Sequence, residues 1–116
     1  MFALLMGLKT VSPRDLHERL GRVTVVDVNA QASWLKAHVP GALHLGVGAG
    51  FDAAALPQDH AAPLVFYCSN PLCLKAPQAA RRAVKIGYTD VRVMPAGIAG
   101  WTDAGLPVES GPPAGR

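Results

Sequence analysis

Two runs of residues leave this chain little freedom of fold. Val23-Thr24-Val25-Val26-Asp27-Val28 and Leu64-Val65-Phe66-Tyr67 are almost unbroken in apolar and β-branched side chains. A strand with one wet face alternates polar and apolar residues, whereas an unbroken apolar strand has to be covered on both faces. Helix signals lie between and around the two runs. Strands alternating with helices predict an α/β fold, a parallel sheet with helices packed on both faces.

The helix signals are specific. Ser12 is placed to cap, Pro13 suits the first helical position, and Asp15 completes an acidic variant of the capping box. Leu16, Leu20 and His17 form the inward face of that helix, and Gly21 stops it. Residues 31–37 predict a short helix carrying Trp34 and Leu35. His38-Val39-Pro40-Gly41-Ala42 is a turn, and residues 42–45 are a short strand. Residues 46–50 are loop, Asp52 caps a brief helix through Leu56, and residues 57–63 are a surface loop. A longer helix is expected from about Pro77. It has Ala76, Ala79, Ala80, Ala83 and Val84 on one face and Gln78, Arg81, Arg82 and Lys85 on the other, and it ends at Gly87. Residues 91–94 form the next strand, and residues 98–104 a short helix with Trp101. Residues 2–8 read as an apolar edge strand. The expected domain has its core over about residues 10–109 and a flexible tail over 110–116.

The chain's 116 residues suffice for one domain with a real core. Half of them are hydrophobic and 16% are charged, which excludes disorder. The net charge of +3 comes with few aromatics, none interleaved with basic residues, so no nucleic-acid partner is expected. A small anionic substrate fits this balance better. The histidines His17, His38, His44 and His60 do not fall at finger-like spacing, and two cysteines cannot make a four-thiolate zinc site, so no metal and no cofactor are expected. The opening MFALLMGLKT lacks a basic leader region and a small-residue cleavage site, and no segment reaches membrane-spanning length. A cytoplasmic location without membrane contact is expected, and there free thiols are the default.

The only cysteines, Cys68 and Cys73, stand in FYCSNPLCLK, directly after the second apolar run. In open α/β sheets, ligands bind at the carboxyl ends of the strands. Cys68 lies at such an end, before a loop and a helix N-terminus whose amides and dipole favour an anion or a thiolate. A site of this kind can lower a thiol's pKa by about one unit or more and make it a nucleophile. Lys75, with Arg81 or Arg82, would add positive field. Equally, Cys68 can be read as a small buried hydrophobe closing a strand.

Other segments shift that balance. Ser12-Pro13-Arg14-Asp15-Leu16, Val26-Asp27-Val28, His38-Val39-Pro40-Gly41-Ala42, Leu64-Val65-Phe66-Tyr67-Cys68, Gly87-Tyr88-Thr89-Asp90-Val91 and the stretch from Ala96 to Val108 follow one another in order and spacing. Together they resemble the rhodanese-homology family of sulfurtransferase domains over roughly residues 10–109. The resemblance implies a rhodanese-like three-layer fold, with a mostly parallel five-stranded sheet flanked by helices. It implies that Cys68 accepts a sulfane sulfur as a persulfide and passes it to a nucleophile. A small anionic donor of the thiosulfate or polysulfide class and a thiol acceptor would be the partners. The loop residues Ser69, Asn70, Pro71 and Leu72, with Lys75, would bind the substrate.

The chain departs from the family in that loop. The usual pattern is C-x-x-G-x-R-S, but here Pro71 replaces the glycine and Cys73 the arginine. Pro71 removes an amide donor from any cradle. The missing arginine argues against phosphatase chemistry and for weak thiosulfate:cyanide transfer, because a lysine offers no bidentate fork. Cys73 opens a second function. As a resolving thiol it would attack a Cys68 persulfide, release sulfide and leave a disulfide. A third reading is a non-catalytic binding module. Upstream, Asn29 and Ser33 stand where the family commonly has an arginine–glutamate pair. Both partners are absent together, so the change reads as structural. His38 is expected to anchor its turn, and Trp34 and Trp101 to lie in the core.

Overall fold

The computed structural model describes residues 8–46 and 50–112. Its five strands are β1 (Lys9–Thr10), β2 (Thr24–Asp27), β3 (Leu43–His44), β4 (Leu64–Tyr67) and β5 (Val91–Val93). They form one sheet in the order β1-β5-β4-β2-β3, and every pairing is parallel. The two unbroken runs are the central neighbours, with Thr24 opposite Leu64 and Asp27 opposite Tyr67. All four residues of β4 are buried, as a strand covered on both faces requires.

Helices α1 (Pro13–Arg19), α2 (Gln31–Lys36) and α3 (Lys75–Ile86) connect strands, α4 (Gly97–Asp103) follows β5, and a 3-10 turn at Ala53–Ala55 capped by Asp52 lies between β3 and β4. Alternate residues of the central strands serve two separate cores. Val26, Val28, Leu64, Phe66 and Cys68 face α3, Phe51 and Tyr88. Val25, Val65 and Tyr67 face Leu16 of α1, Val39, and Trp101 of α4. Helix α3 meets the sheet through Ala76, Ala79, Ala80 and Ala83, whose small side chains let its backbone lie close. Among the described residues, no helix is long and apolar enough to cross a membrane.

Several boundaries differ from the sequence expectation. Helix α3 begins at Lys75, two residues before the expected start, and so takes Pro77 into its first turn, where the missing N–H costs no helical bond. Val84 is half exposed, because it lies on the flank of the alanine stripe near the helix's last turns. His17 is exposed and meets Trp101 only by its edge, with ring centroids 5.9 Å apart. The expected edge strand at residues 2–8 lies outside the described residues except for Leu8, which is buried; the edge strand observed is β1. The chain also stays packed beyond residue 109. Ser110 Oγ donates to Lys36 O at 3.0 Å and the Gly111 amide to Leu35 O at 2.7 Å. The rest of the expected tail, 113–116, and the loop segment 47–49 lie outside the described residues.

Candidate active site

The loop after β4 is held by the start of α4. The amides of Ile98 and Ala99 donate to the carbonyls of Cys68 and Ser69 at 2.9 and 3.0 Å. That contact requires a residue without a side chain at Gly97. A Cβ there would lie 2.5–2.6 Å from backbone atoms of Ser69 and Asn70, and its φ of +65° is itself costly for other residues. Asn70 then turns the chain back. Its Oδ1 accepts from the Leu72 amide at 2.9 Å, and its carbonyl from the Cys73 amide at 3.1 Å. Such local side-chain acceptance is how asparagine makes a tight turn. The turn returns Cys73 to Cys68, and α3 starts two residues later.

Both thiols are free, and each lies near enough to shift the other's ionisation. The amides of Ser69 and Ala76 favour a thiolate at Cys68, and those of Lys75 and Ser69 favour one at Cys73. The two sulfurs therefore sit at the N-terminus of a twelve-residue helix, where the unpaired amides and the dipole are positive. In front of them lies a narrow pocket walled by Asn70, Pro71, Pro77 and Met94, with room for about one water-sized group.

The electrostatics divide the pair. Cys68 is 3% exposed, and burial, then the neighbouring Cys73, pushes its thiol up to about 12. Cys73 is only partly buried. Burial raises it too, but the neighbouring Cys68, the Lys75 and Ser69 amides and the Lys75 charge outweigh that and hold it below the ordinary thiol value. The two thiols titrate as a pair, and ionisation of one makes the other harder to ionise. The expected lowering of the Cys68 thiol does not occur, since its burial outweighs the helix N-terminus.

Behind the cysteines, buried polar groups tie β4 to β2. Tyr67 Oη donates to Asp27 Oδ2 at 2.6 Å and accepts from the Val39 amide at 3.0 Å. Burial raises the Asp27 pKa although Tyr67 and Asn29 donate to it, and burial beside Asp27 raises that of Tyr67. His38 is buried, with Nδ1 2.7 Å from Trp34 O, its ring stacked on Trp34, and Nε2 3.7 Å from Glu109. It anchors its turn to the C-terminal segment.

The structure brings the sequence-derived site residues together unequally. Cys68, Asn70, Pro71 and Cys73 line the pocket. Ser69 contributes its amide to both sulfurs, and Lys75 its amide and charge to Cys73. The Leu72 amide is turned to Asn70, and its side chain is 79% exposed, so it is no part of an anion cradle. Arg82 lies over the Phe51 ring, 5.2 Å from its centroid. Two residues were missed. The Ala76 amide escaped because the helix was expected to begin after it. Asn29, read as a structural replacement, accepts from Ser69 Oγ at 2.7 Å and so positions the loop. No signal within the sequence joins those two residues. Wider depressions at the other end of the sheet, around Leu20 and Pro40 and around Arg22 and Arg92, contain no thiol.

Residues 12–104 match the family model described as the Rhodanese-like domain. The chain is 36% identical over 97 residues to the HTH-type transcriptional regulator Rv0324 of Mycobacterium tuberculosis, covering 83% of this chain and 42% of the relative. The chain thus spans less than half of that curated relative. The BH2092 protein from Bacillus halodurans superposes with a TM-score of 0.79 at 21% identity, over 92% of this chain and 80% of that one. SseA from Escherichia coli, a 3-mercaptopyruvate sulfotransferase, has a TM-score of 0.75 at 21% identity, over 90% of this chain and 51% of its own. The two solved structures share the fold. With the motif order, the parallel five-stranded sheet and a cysteine closing its central strand all in place, the chain belongs to the rhodanese-like domain family.

Proposed function

We propose that the domain is a sulfurtransferase. It takes a sulfane sulfur from a small anionic donor of the thiosulfate or polysulfide class as a cysteine persulfide at the Cys68–Cys73 pair, and passes it to a thiol. One observation carries this reading: two free thiols lie together beside the amides of Ser69, Lys75 and Ala76 at the start of α3. Amides aimed at a sulfur stabilise a persulfide anion as they do a thiolate. The narrow pocket suits a single added sulfur atom better than a bulky substrate. Lys75 supplies attraction for an anionic donor without a bidentate clamp, so thiosulfate turnover with cyanide is expected to be slow.

The test is non-reducing intact mass after incubating the reduced chain with thiosulfate, and separately with polysulfide. A gain of one sulfur, absent from the variant lacking both cysteines and lost on adding a small thiol, is expected. An unchanged mass overturns the reading and leaves a binding module.

The nearness of the two free thiols favours a second reading. The thiol neighbouring a persulfide can attack the cysteine sulfur that carries it. A disulfide forms, the outer sulfur leaves as sulfide with the proton of the attacking thiol, and two molecules of a small thiol restore the pair. A reversible change of this kind would suit a relative of a transcriptional regulator. A loss of two hydrogens with one equivalent of sulfide released would identify it.

A further inference from the structure

We propose that Cys73, and not the strand-end Cys68, is the thiol that first takes the sulfane sulfur. This deepens the sulfurtransferase reading and rests on it.

The argument is first one of access. A donor such as tetrasulfide or thiosulfate has to bring a sulfur into line with the attacking thiolate. Both cysteines line the narrow pocket, but Cys68 is 3% exposed, whereas Cys73 is only partly buried and stands between exposed Leu72 and Leu74. Second, the Lys75 and Ser69 amides and the Lys75 charge favour a thiolate at Cys73. The groups facing the pair from the other elements carry no charge. The end of β5 contributes Val93, Met94 and Pro95, and the loop contributes Asn70 and Pro71. Among the described residues Lys75 is the charged group acting on Cys73, and its sign favours the thiolate. Third, burial at Cys68 disfavours a thiolate, while the Lys75 charge favours negative charge at the more open Cys73.

The step then balances simply. The Cys73 thiolate attacks the outer sulfur of thiosulfate, a sulfur–sulfur bond forms, the donor's own sulfur–sulfur bond breaks, and sulfite leaves with its electron pair. With tetrasulfide the leaving group is the shortened polysulfide. No proton is taken up in this step.

Single-cysteine variants decide the matter, because neither can form the internal disulfide. Full-length Cys68→Ser and Cys73→Ser are treated with sodium tetrasulfide at about pH 7 and followed by intact mass. We expect Cys68→Ser to gain one sulfur, and Cys73→Ser to load at least about tenfold more slowly. Brief iodoacetamide treatment of the reduced wild-type chain, with peptide mapping, is expected to label Cys73 first, and this readout does not depend on either variant folding. Loading of Cys73→Ser at the rate of Cys68→Ser or faster, or first labelling at Cys68, overturns the assignment to Cys73 and leaves the sulfurtransferase reading standing on Cys68. If neither the wild-type chain nor any variant gains sulfur, both proposals fall together.

Discussion

Ser69 donates its hydroxyl to Asn29 Oδ1 at 2.7 Å, joining the loop beside Cys68 to the segment leaving β2 across forty positions of sequence. Because the Ser69 amide serves both sulfurs, this bond fixes a donor of the site. Asn29→Ala should therefore raise the pH at which Cys73 becomes reactive, read from the pH profile of iodoacetamide labelling. The stability cost should be only about 1 kcal/mol, measured by urea unfolding. It stays small because the substitution also removes the buried Asn29 Nδ2, which has no partner among the described residues. An unshifted labelling profile would show that Asn29 is structural only.

Gly97 offers a sharper mechanical test. Its φ is +65° and that of Gly21 is +87°, but a Cβ at Gly21 meets nothing within 4 Å, whereas one at Gly97 meets backbone of Ser69 and Asn70 at 2.5–2.6 Å. Gly21→Ala should cost about 1–2 kcal/mol, the ordinary strain of left-handed backbone. Gly97→Ala should cost clearly more by thermal unfolding, and should also slow labelling of Cys73 in the fraction that folds. Equal losses in the two variants would mean that the loop is not seated on α4 as described.

The buried Asp27–Tyr67 pair makes stability depend on pH in a defined direction. Burial raises the Asp27 pKa above its value in the unfolded chain. The folded state therefore binds the proton more tightly, and this group's contribution is complete below the unfolded value and is lost as pH rises through the folded one. Asp27→Asn abolishes that titration. It also brings an amide donor to Tyr67 Oη, which already accepts from Val39, at a cost of about 1–3 kcal/mol. The wild-type advantage over Asp27→Asn should be largest near pH 4 and shrink toward pH 7. A difference that widens over that range would contradict the assignment.

Lys75 acts on Cys73 through its charge and its amide, and only the charge is lost in Lys75→Gln. The variant should label more slowly at neutral pH. Because Lys75 is exposed, its effect should fade with salt. Added salt should slow the wild-type chain toward the variant and leave the variant almost unchanged. If both respond alike, Lys75 is a solvated surface charge.

Much of the fold could be read directly from local sequence. The continuous apolar runs became the central strands β2 and β4, because only a strand covered on both faces needs such a sequence. The Ser12 and Asp52 caps formed as expected, because capping depends on residues two or three positions away. The start of α3 was placed late. Pro77 is tolerated anywhere in a first turn, so it marks that turn without marking its first residue. Val84 was assigned inward because helical spacing identifies a face but not the limit of what covers it.

The sequence by itself determined the class of fold, the motif order of the family, and the position of Cys68 at a strand's carboxyl end followed by a second thiol. These are local or periodic properties, carried by side-chain type and spacing. Tertiary structure alone decided that the Asn70 turn returns Cys73 to Cys68, that Asn29 holds Ser69, and that Cys68 is buried while Cys73 stays more open beside the Lys75 charge. A thiol's ionisation depends on how much water reaches it and which amides point at it. Both are set by chain segments that meet only when α3 and α4 close on the end of β4.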